Sequence, residues 1–131
     1  MISLGSAAEF ALLSLDGEFD LADAEALGEA LGNLDSEPVI IVSLAHVAFL
    51  DSTILNVFFR ANAAHAGNLV VVLPEGTRAK STFALAGLEE QFRFAPSVND
   101  AIAIARTLRD IVAASFSRDG TAASSSDEAS E

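Results

Sequence analysis

Two short apolar runs constrain this chain more than any other feature. Val39–Leu44 is broken only by Ser43, and Leu69–Leu73 is not broken at all. Runs of this length without polar alternation are strands covered on both faces. Strands covered on both faces need helices above and below them, which is the economy of a parallel sheet with right-handed crossovers. The segments after each run supply the helices. Ser52–Ala66 places Ile54, Leu55, Val57, Phe58, Phe59 and Ala61 on one broad side, with Asn56, Arg60 and Ala63 opposite. After Leu69–Leu73, Pro74-Glu75-Gly76 turns the chain, Thr77 can cap a helix to about Ala86, and Gly87 can end it.

The flanking segments extend the pattern. Ile2–Leu4 and Phe10–Leu15 read as two strands separated by Gly5-Ser6-Ala7-Ala8-Glu9. Asp16-Gly17-Glu18-Phe19-Asp20 reads as a turn followed by a helix cap. Ala24, Leu27, Leu31 and Leu34 then recur at helical spacing. Asp20, Asp23 and Glu25 place negative charge where the helix dipole favours it, and Gly32-Asn33 suits the end. Phe92-Arg93-Phe94 reads as a short strand before Pro96. Ser97 with Asp100 resembles a capping pair, and Ala101, Ile104, Ala105, Leu108, Ile111 and Val112 make a stripe on the last helix. The expected order is β-β-α-β-α-β-α-β-α: an α/β single domain with a mixed, mostly parallel sheet packed against helices. Its expected extent is residues 1–114. The segment 115–131 is rich in Ser, Ala and acids with little apolar payload, so it reads as a disordered acidic tail whose Ser124-Ser125-Ser126 cluster is a solubilising linker by default.

Composition removes several function classes. At 131 residues the chain suits one domain. It has no cysteine, so no thiol chemistry, disulfide framework or cysteine-held metal is available, and its 2 His offer no metal-ligand spacing. No cofactor is expected. No run approaches the roughly 18 apolar residues of a membrane span. The start Met1-Ile2-Ser3-Leu4-Gly5 has no basic leader, so the expected location is the cytoplasm. A net charge of −12 makes nucleic acid and anionic membrane poor partners. The charge is also uneven: residues 1–59 hold ten acids and no base, the first base being Arg60. Such a region is either a solvated face or a surface that steers a basic protein partner. Oligomeric state is left open by the sequence.

No enzyme site assembles. There is no phosphate-binding P-loop, dinucleotide fingerprint or nucleophile elbow. His46, just after a buried strand, is expected to be a hydrogen-bonded structural histidine. His65 lies near a helix C-terminus. Pro74-Glu75-Gly76-Thr77 could offer amides to an anion, but a plain turn and cap is the better reading. The informative stretch is Val47-Ala48-Phe49-Leu50-Asp51-Ser52-Thr53-Ile54-Leu55. Asp51 and Ser52 stand between an apolar strand and an apolar helix. Taken alone the pair reads as an N-cap. The other reading is a phosphoacceptor serine, since a phosphate at this position would change the outer surface without demanding a new fold.

Three segments together resemble the STAS domain family, and within it the bacterial anti-sigma factor antagonists. Leu15-Asp16-Gly17-Glu18-Phe19-Asp20-Leu21 is similar to the family's L-x-G-E-x-D-L. Val39–Leu55 is similar to its buried strand followed by D-S-[ST]-G-L. Leu69–Ala103, with Gly87-Leu88-Glu89-Glu90-Gln91-Phe92, is similar to its G-L-x-x-x-F segment and closing helix. The resemblance implies a protein without catalysis of its own. It implies a partner, an anti-sigma factor serine kinase of the GHKL fold, which the unphosphorylated antagonist sequesters, freeing a sigma factor for transcription. It implies that the kinase phosphorylates Ser52 and so breaks the complex, and that the partner surface includes Asp20, Asp51, Thr53, Ile54 and Asn56. The chain departs from the family where Ser43 replaces a strand-end Asp and where Ile54 and Asn56 replace common glycines. A bulky Ile54 at the helix start is expected to protrude toward a docking kinase, and Phe49 with Ile54 to form an exposed apolar patch. The alternative reading is a non-phosphorylated STAS module acting as a fixed subunit of a signalling scaffold or of a lipid-transport ATP-binding cassette complex.

Overall fold

The computed structural model describes residues 1–87 and 89–121, with side chains described for all of these except 89 and 115–121. Its elements are β1 (Ile2–Ala7), β2 (Phe10–Phe19), α1 (Ala24–Gly32), β3 (Ile40–Leu50), α2 (Ser52–Ala64), β4 (Leu69–Val72), α3 (Arg78–Leu85), β5 (Arg93–Ala95) and α4 (Val98–Thr121). Two 3-10 turns, Leu21–Asp23 and Glu89–Gln91, precede α1 and β5. The order is the one read from the sequence. The five strands lie in chain order β1-β2-β3-β4-β5, with β1 antiparallel to β2 and the other pairs parallel.

The apolar run that opens β3 feeds two cores. Ile40, Val42 and Leu44 face a cluster shared with Leu27 and Leu31 of α1, Ile54, Leu55 and Phe58 of α2, and Phe83 of α3. Val39 and Ile41 face the opposite cluster, built with Ala101, Ala105 and Leu108 of α4. Alternation by two therefore sends each neighbour to a different helical layer, and polar residues have no place between them. On the first face, Phe83 meets Phe92 and Phe94 edge-on at centroid distances of 5.3 and 5.2 Å, a geometry that aromatic quadrupoles favour. On the second, Arg106 and Arg109 of α4 both bind Glu9 in the β1–β2 turn, and the Arg109 guanidinium lies 5.4 Å from the centroid of the Phe10 ring.

Several sequence expectations are corrected in detail. The loop expected at residues 5–9 is a two-residue hairpin: β1 runs to Ala7, and Ala8 carries the turn with φ 55°. The turn expected at Asp16–Asp20 is a continuation of β2 to Phe19, with register shifts at Ser14/Asp16 and Gly17/Glu18. Gly17, with φ +98°, absorbs this irregularity in the left-handed region that glycine tolerates. The continuation forms because β3 also runs past Leu44, and Phe19, Val47 and Leu50 bury themselves by pairing there. Phe59 and Ile111, placed on apolar stripes by periodicity, are 43% and 57% exposed. The backbone of α4 continues past residue 114, where the sequence reading places the start of the tail; residues 122–131, including the serine cluster, lie outside the described residues.

Candidate functional site

The candidate residues gather where β2 and β3 leave the sheet. Phe19 and Leu50 are register partners, so Asp20 and Asp51 depart side by side. The Asp51 amide donates to the Phe19 carbonyl at 2.9 Å, fixing one exit to the other. After Phe19 the chain enters the 3-10 turn through a reciprocal cap. Asp20 Oδ1 accepts from the Ala22 amide at 3.0 Å, and Asp23 Oδ2 accepts from the Asp20 amide at 2.9 Å. Each carboxylate satisfies an amide that the turn leaves orphaned.

The start of α2 assigns the cap to Asp51. Asp51 is the N-cap, extended at φ −78° and ψ 151°, and its Oδ1 accepts from the Thr53 amide at 2.9 Å. Ser52 is therefore the first residue of the helix itself. Its exposed hydroxyl donates to Asp51 Oδ1 only at 3.4 Å, a long contact. The Asp51 carboxyl is held below the usual aspartate range, first by the Thr53 amide and then by the Thr53 and Ser52 side chains. An ionised carboxylate thus sits against the base of a free serine hydroxyl.

Thr53 and Asn56 turn toward a different feature. They line an open groove of about 530 Å3 between α1 and α2, with Arg60 and His65 further along α2 and Ala24, Glu25, Gly28 and Gly32 on α1. Ala24, Gly28 and Gly32 recur every fourth residue, and their small side chains leave the groove open. That spacing is visible in the sequence. Arg60, the first base after ten acids, faces Glu25 and Asp35 around this groove. Asp20, Asp51, Ser52, Thr53 and Asn56 are therefore all on one side of the molecule.

Ile54 is the exception, and the expectation for it is corrected. Its side chain is fully buried among the residues of the α1–α3 face. On a helix beginning at Ser52, the third position points to the sheet, so Ile54 does not protrude. Phe49, in contrast, is 47% exposed, beside Glu18, Val47, Thr77 and Arg78 on an open concave surface.

The two histidines also exchange roles. His46 is exposed on β3 opposite Asp16 and makes no side-chain hydrogen bond among the described residues. It lies in the part of β3 beyond β4, which ends at Val72, so no neighbour covers it there. The hydrogen-bonded structural histidine is His65, buried at the end of α2 with Nδ1 2.9 Å from the Ala61 carbonyl and Nε2 3.2 Å from the Leu34 carbonyl. Ser43 is buried, its hydroxyl oxygen accepting from the Ala45 amide at 3.4 Å. Thr77 is a plain cap: its hydroxyl donates to the Pro74 carbonyl at 3.0 Å and accepts from the Lys80 amide at 3.4 Å.

A five-stranded mixed sheet with three crossover helices on one face, one helix on the other, and an Asp-capped serine opening the second helix defines a STAS domain. The family model described as "Mlab, STAS domain" matches residues 2–96, and the chain belongs to this family. The anti-sigma-F factor antagonist RsfB of Mycobacterium tuberculosis, found in two strains, is 33% identical over 96 residues, covering 70% of this chain and 78% of the relative. A crystal structure of an anti-sigma factor antagonist from Mycobacterium paratuberculosis superimposes with a TM-score of 0.73 at 25% identity, over 81% of this chain and 93% of that one. The unphosphorylated form of the Bacillus anti-sigma factor antagonist SpoIIAA shares the fold with a TM-score of 0.59 at 18% identity, over 82% of this chain and 97% of that one. The phosphorylated form of SpoIIAA gives 0.57 at 17% identity, over 79% of this chain and 97% of that one.

Proposed function

We propose that this protein is an anti-sigma factor antagonist of the cytoplasm. It binds an anti-sigma factor that is itself a serine kinase of the GHKL fold, and phosphorylation of Ser52 switches the binding off. The observation that carries the reading is the division of labour at the start of α2. Asp51 takes the cap, which leaves the Ser52 hydroxyl exposed and only weakly held. A serine needed as a cap would be tied to the helix; this one is available to an incoming phosphoryl group.

Electrostatics gives the switch its sign. The cap position is already filled by an ionised carboxylate, so a phosphate on Ser52 adds about −1.5 to −2 charge beside an existing anion. The two anions compete for the same helix amides, and the phosphate is pushed outward toward whatever covers the loop. The acidic first half of the chain, including Asp20, Asp23 and Glu25 around the site, suits a basic partner surface. The role requires no catalytic group in this chain, because the phosphoryl transfer is the partner's chemistry. The relatives named as anti-sigma factor antagonists support the same role.

The test is phosphopeptide mass spectrometry on the protein from its own cells, before and after stress, paired with binding of Ser52→Ala and Ser52→Asp to the copurifying partner. Phosphate on Ser52 that changes with condition, with Ser52→Ala binding constitutively and Ser52→Asp weakened at least tenfold, supports the switch. Unmodified Ser52 at full peptide coverage, with equal affinity of both variants for a stable partner, sinks it and leaves a constitutive subunit.

A further inference from the structure

The two edges of the sheet are built differently. β5, at one edge, is three residues long, begins with exposed Arg93 and is followed by Pro96. A short edge strand with a charge and a nearby proline is a guarded edge that resists pairing with another chain. β1, at the other edge, has none of these devices. It is six residues long, and the chain from Met1 to Ala8 contains no charged side chain and no proline in a protein of net charge −12. Its register with β2 is regular over all six residues, with no bulge to twist it away.

The direction of its free backbone groups follows from the ladder. Met1 and Asp16 exchange both hydrogen bonds, Met1 nitrogen to the Asp16 carbonyl at 2.7 Å and the Asp16 amide to the Met1 carbonyl at 2.9 Å. In an antiparallel pair, bonded and non-bonded positions alternate. Ser3, Gly5 and Ala7 therefore also bond inward to β2. Ile2, Leu4 and Ser6 point their amides and carbonyls outward, and nothing among the described residues pairs with that edge. Leu4, the middle of the three, is 62% exposed.

We infer that β1 is a self-association edge: two copies of this chain pair β1 against β1 in antiparallel fashion about a two-fold axis at Leu4. In that register Leu4 faces its own copy and Ile2 faces Ser6 of the second copy. The three outward residues of each chain exchange six backbone hydrogen bonds, and the two sheets become one of ten strands. A second copy is the occupant because the edge is complementary to itself. Three outward residues centred on one position satisfy the symmetry of a two-fold contact with no donor or acceptor left over. Charge argues the same way. Two chains of −12 repel over most of their surfaces, but the strand is uncharged and the one acid at its hairpin end, Glu9, is bound by Arg106 and Arg109. The contact is small, so the association is weak.

Sedimentation velocity of the full chain from about 1 µM to about 1 mM tests this, spanning the range of weak interfaces. The expected result is a monomer–dimer equilibrium that strengthens with salt, because added salt screens the repulsion of two acidic chains. Leu4→Lys, which places two ammonium groups at the two-fold axis, abolishes the dimer without lowering the melting temperature. Leu4→Pro removes an amide that bonds to nothing within the protomer and has the same effect. Leu85→Lys, at a 90% exposed leucine on α3, leaves the dimer intact. A monomer at every concentration and salt overturns the proposal. So does a dimer that survives both Leu4 variants or dissolves with Leu85→Lys.

Discussion

The amide of Asp51 donates to the carbonyl of Phe19 across 2.9 Å, joining the last residue of one parallel strand to the cap of the helix that follows the next. This bond brings together two acidic loops whose Asp20 and Asp51 are thirty-one residues apart in sequence. Asp20 caps the 3-10 turn and Asp51 caps α2, so both carboxylates accept from backbone amides. The surface proposed to meet a partner is therefore fixed by backbone bonds where it is charged, and the exposed Ser52 hydroxyl beside it is held only by the long contact to Asp51.

Removing the Asp51 cap has a defined cost. Asp51→Ala is expected to lower stability, as loss of an N-cap does, measured by urea unfolding near pH 7. The folded carboxyl titrates below its usual 3.8, so its contribution is present above that value and is lost as pH falls through the lowered one. The difference between wild type and variant narrows on acidification below 3.8. A non-zero difference that is independent of pH across this range means that the charge on Asp51 adds nothing to the cap.

Ile54→Ala separates core from surface. Ile54 is fully buried, so the variant is expected to lose about 2–5 kcal/mol, the range for truncating a buried isoleucine. Partner affinity, measured by calorimetry well below the melting temperature, should change less than threefold. Large loss of affinity in a folded variant would place Ile54 in the interface after all.

Asn62 holds three segments together from inside α2. Its Nδ2 donates to the Gln91 carbonyl at 2.8 Å, and its Oδ1 accepts from the Leu69 amide at 3.2 Å. Asn62→Leu leaves the Leu69 amide and the Gln91 carbonyl without these partners, and the expected loss is about 1–3 kcal/mol. Hydrogen exchange at Leu69 is the direct readout, with faster exchange expected in the variant and unchanged rates at Leu13.

Glu9 ties α4 to the hairpin. Its carboxyl is lowered to about 2, first by the hydrogen bond from Arg106, with its own backbone amide and Arg109 adding to it. The stability this adds is fully present above the ordinary value of 4.5 and disappears as pH falls toward 2. Glu9→Gln should therefore melt at a lower temperature than wild type at pH 7, and the two melting curves should converge between pH 4.5 and 2. Curves that stay apart at pH 2 would show that the arginines hold Glu9 for reasons other than its charge.

Much was legible before any coordinates. The runs at Val39–Leu44 and Leu69–Leu73 identified the central strands because a strand covered on both faces has no room for polar residues. The caps at Thr77 and Ser97 were readable because capping is local chemistry, decided within four residues. Family-like segments also pointed to the loop at Asp51-Ser52. What tertiary structure decided was everything that depends on a neighbour distant in sequence. Periodicity places Phe59 and Ile111 on apolar stripes, but burial depends on what packs over each position, and both are exposed in the folded chain. The turn at Asp16–Phe19 became strand because β3 continued alongside it. The direction of Ile54, and which of two adjacent oxygens takes the cap, depended on where the helix begins relative to the sheet, a phase that a shift of one residue turns by about 100°. His65 rather than His46 became the structural histidine because the Leu34 carbonyl, thirty-one residues away, lies beside it in the folded chain.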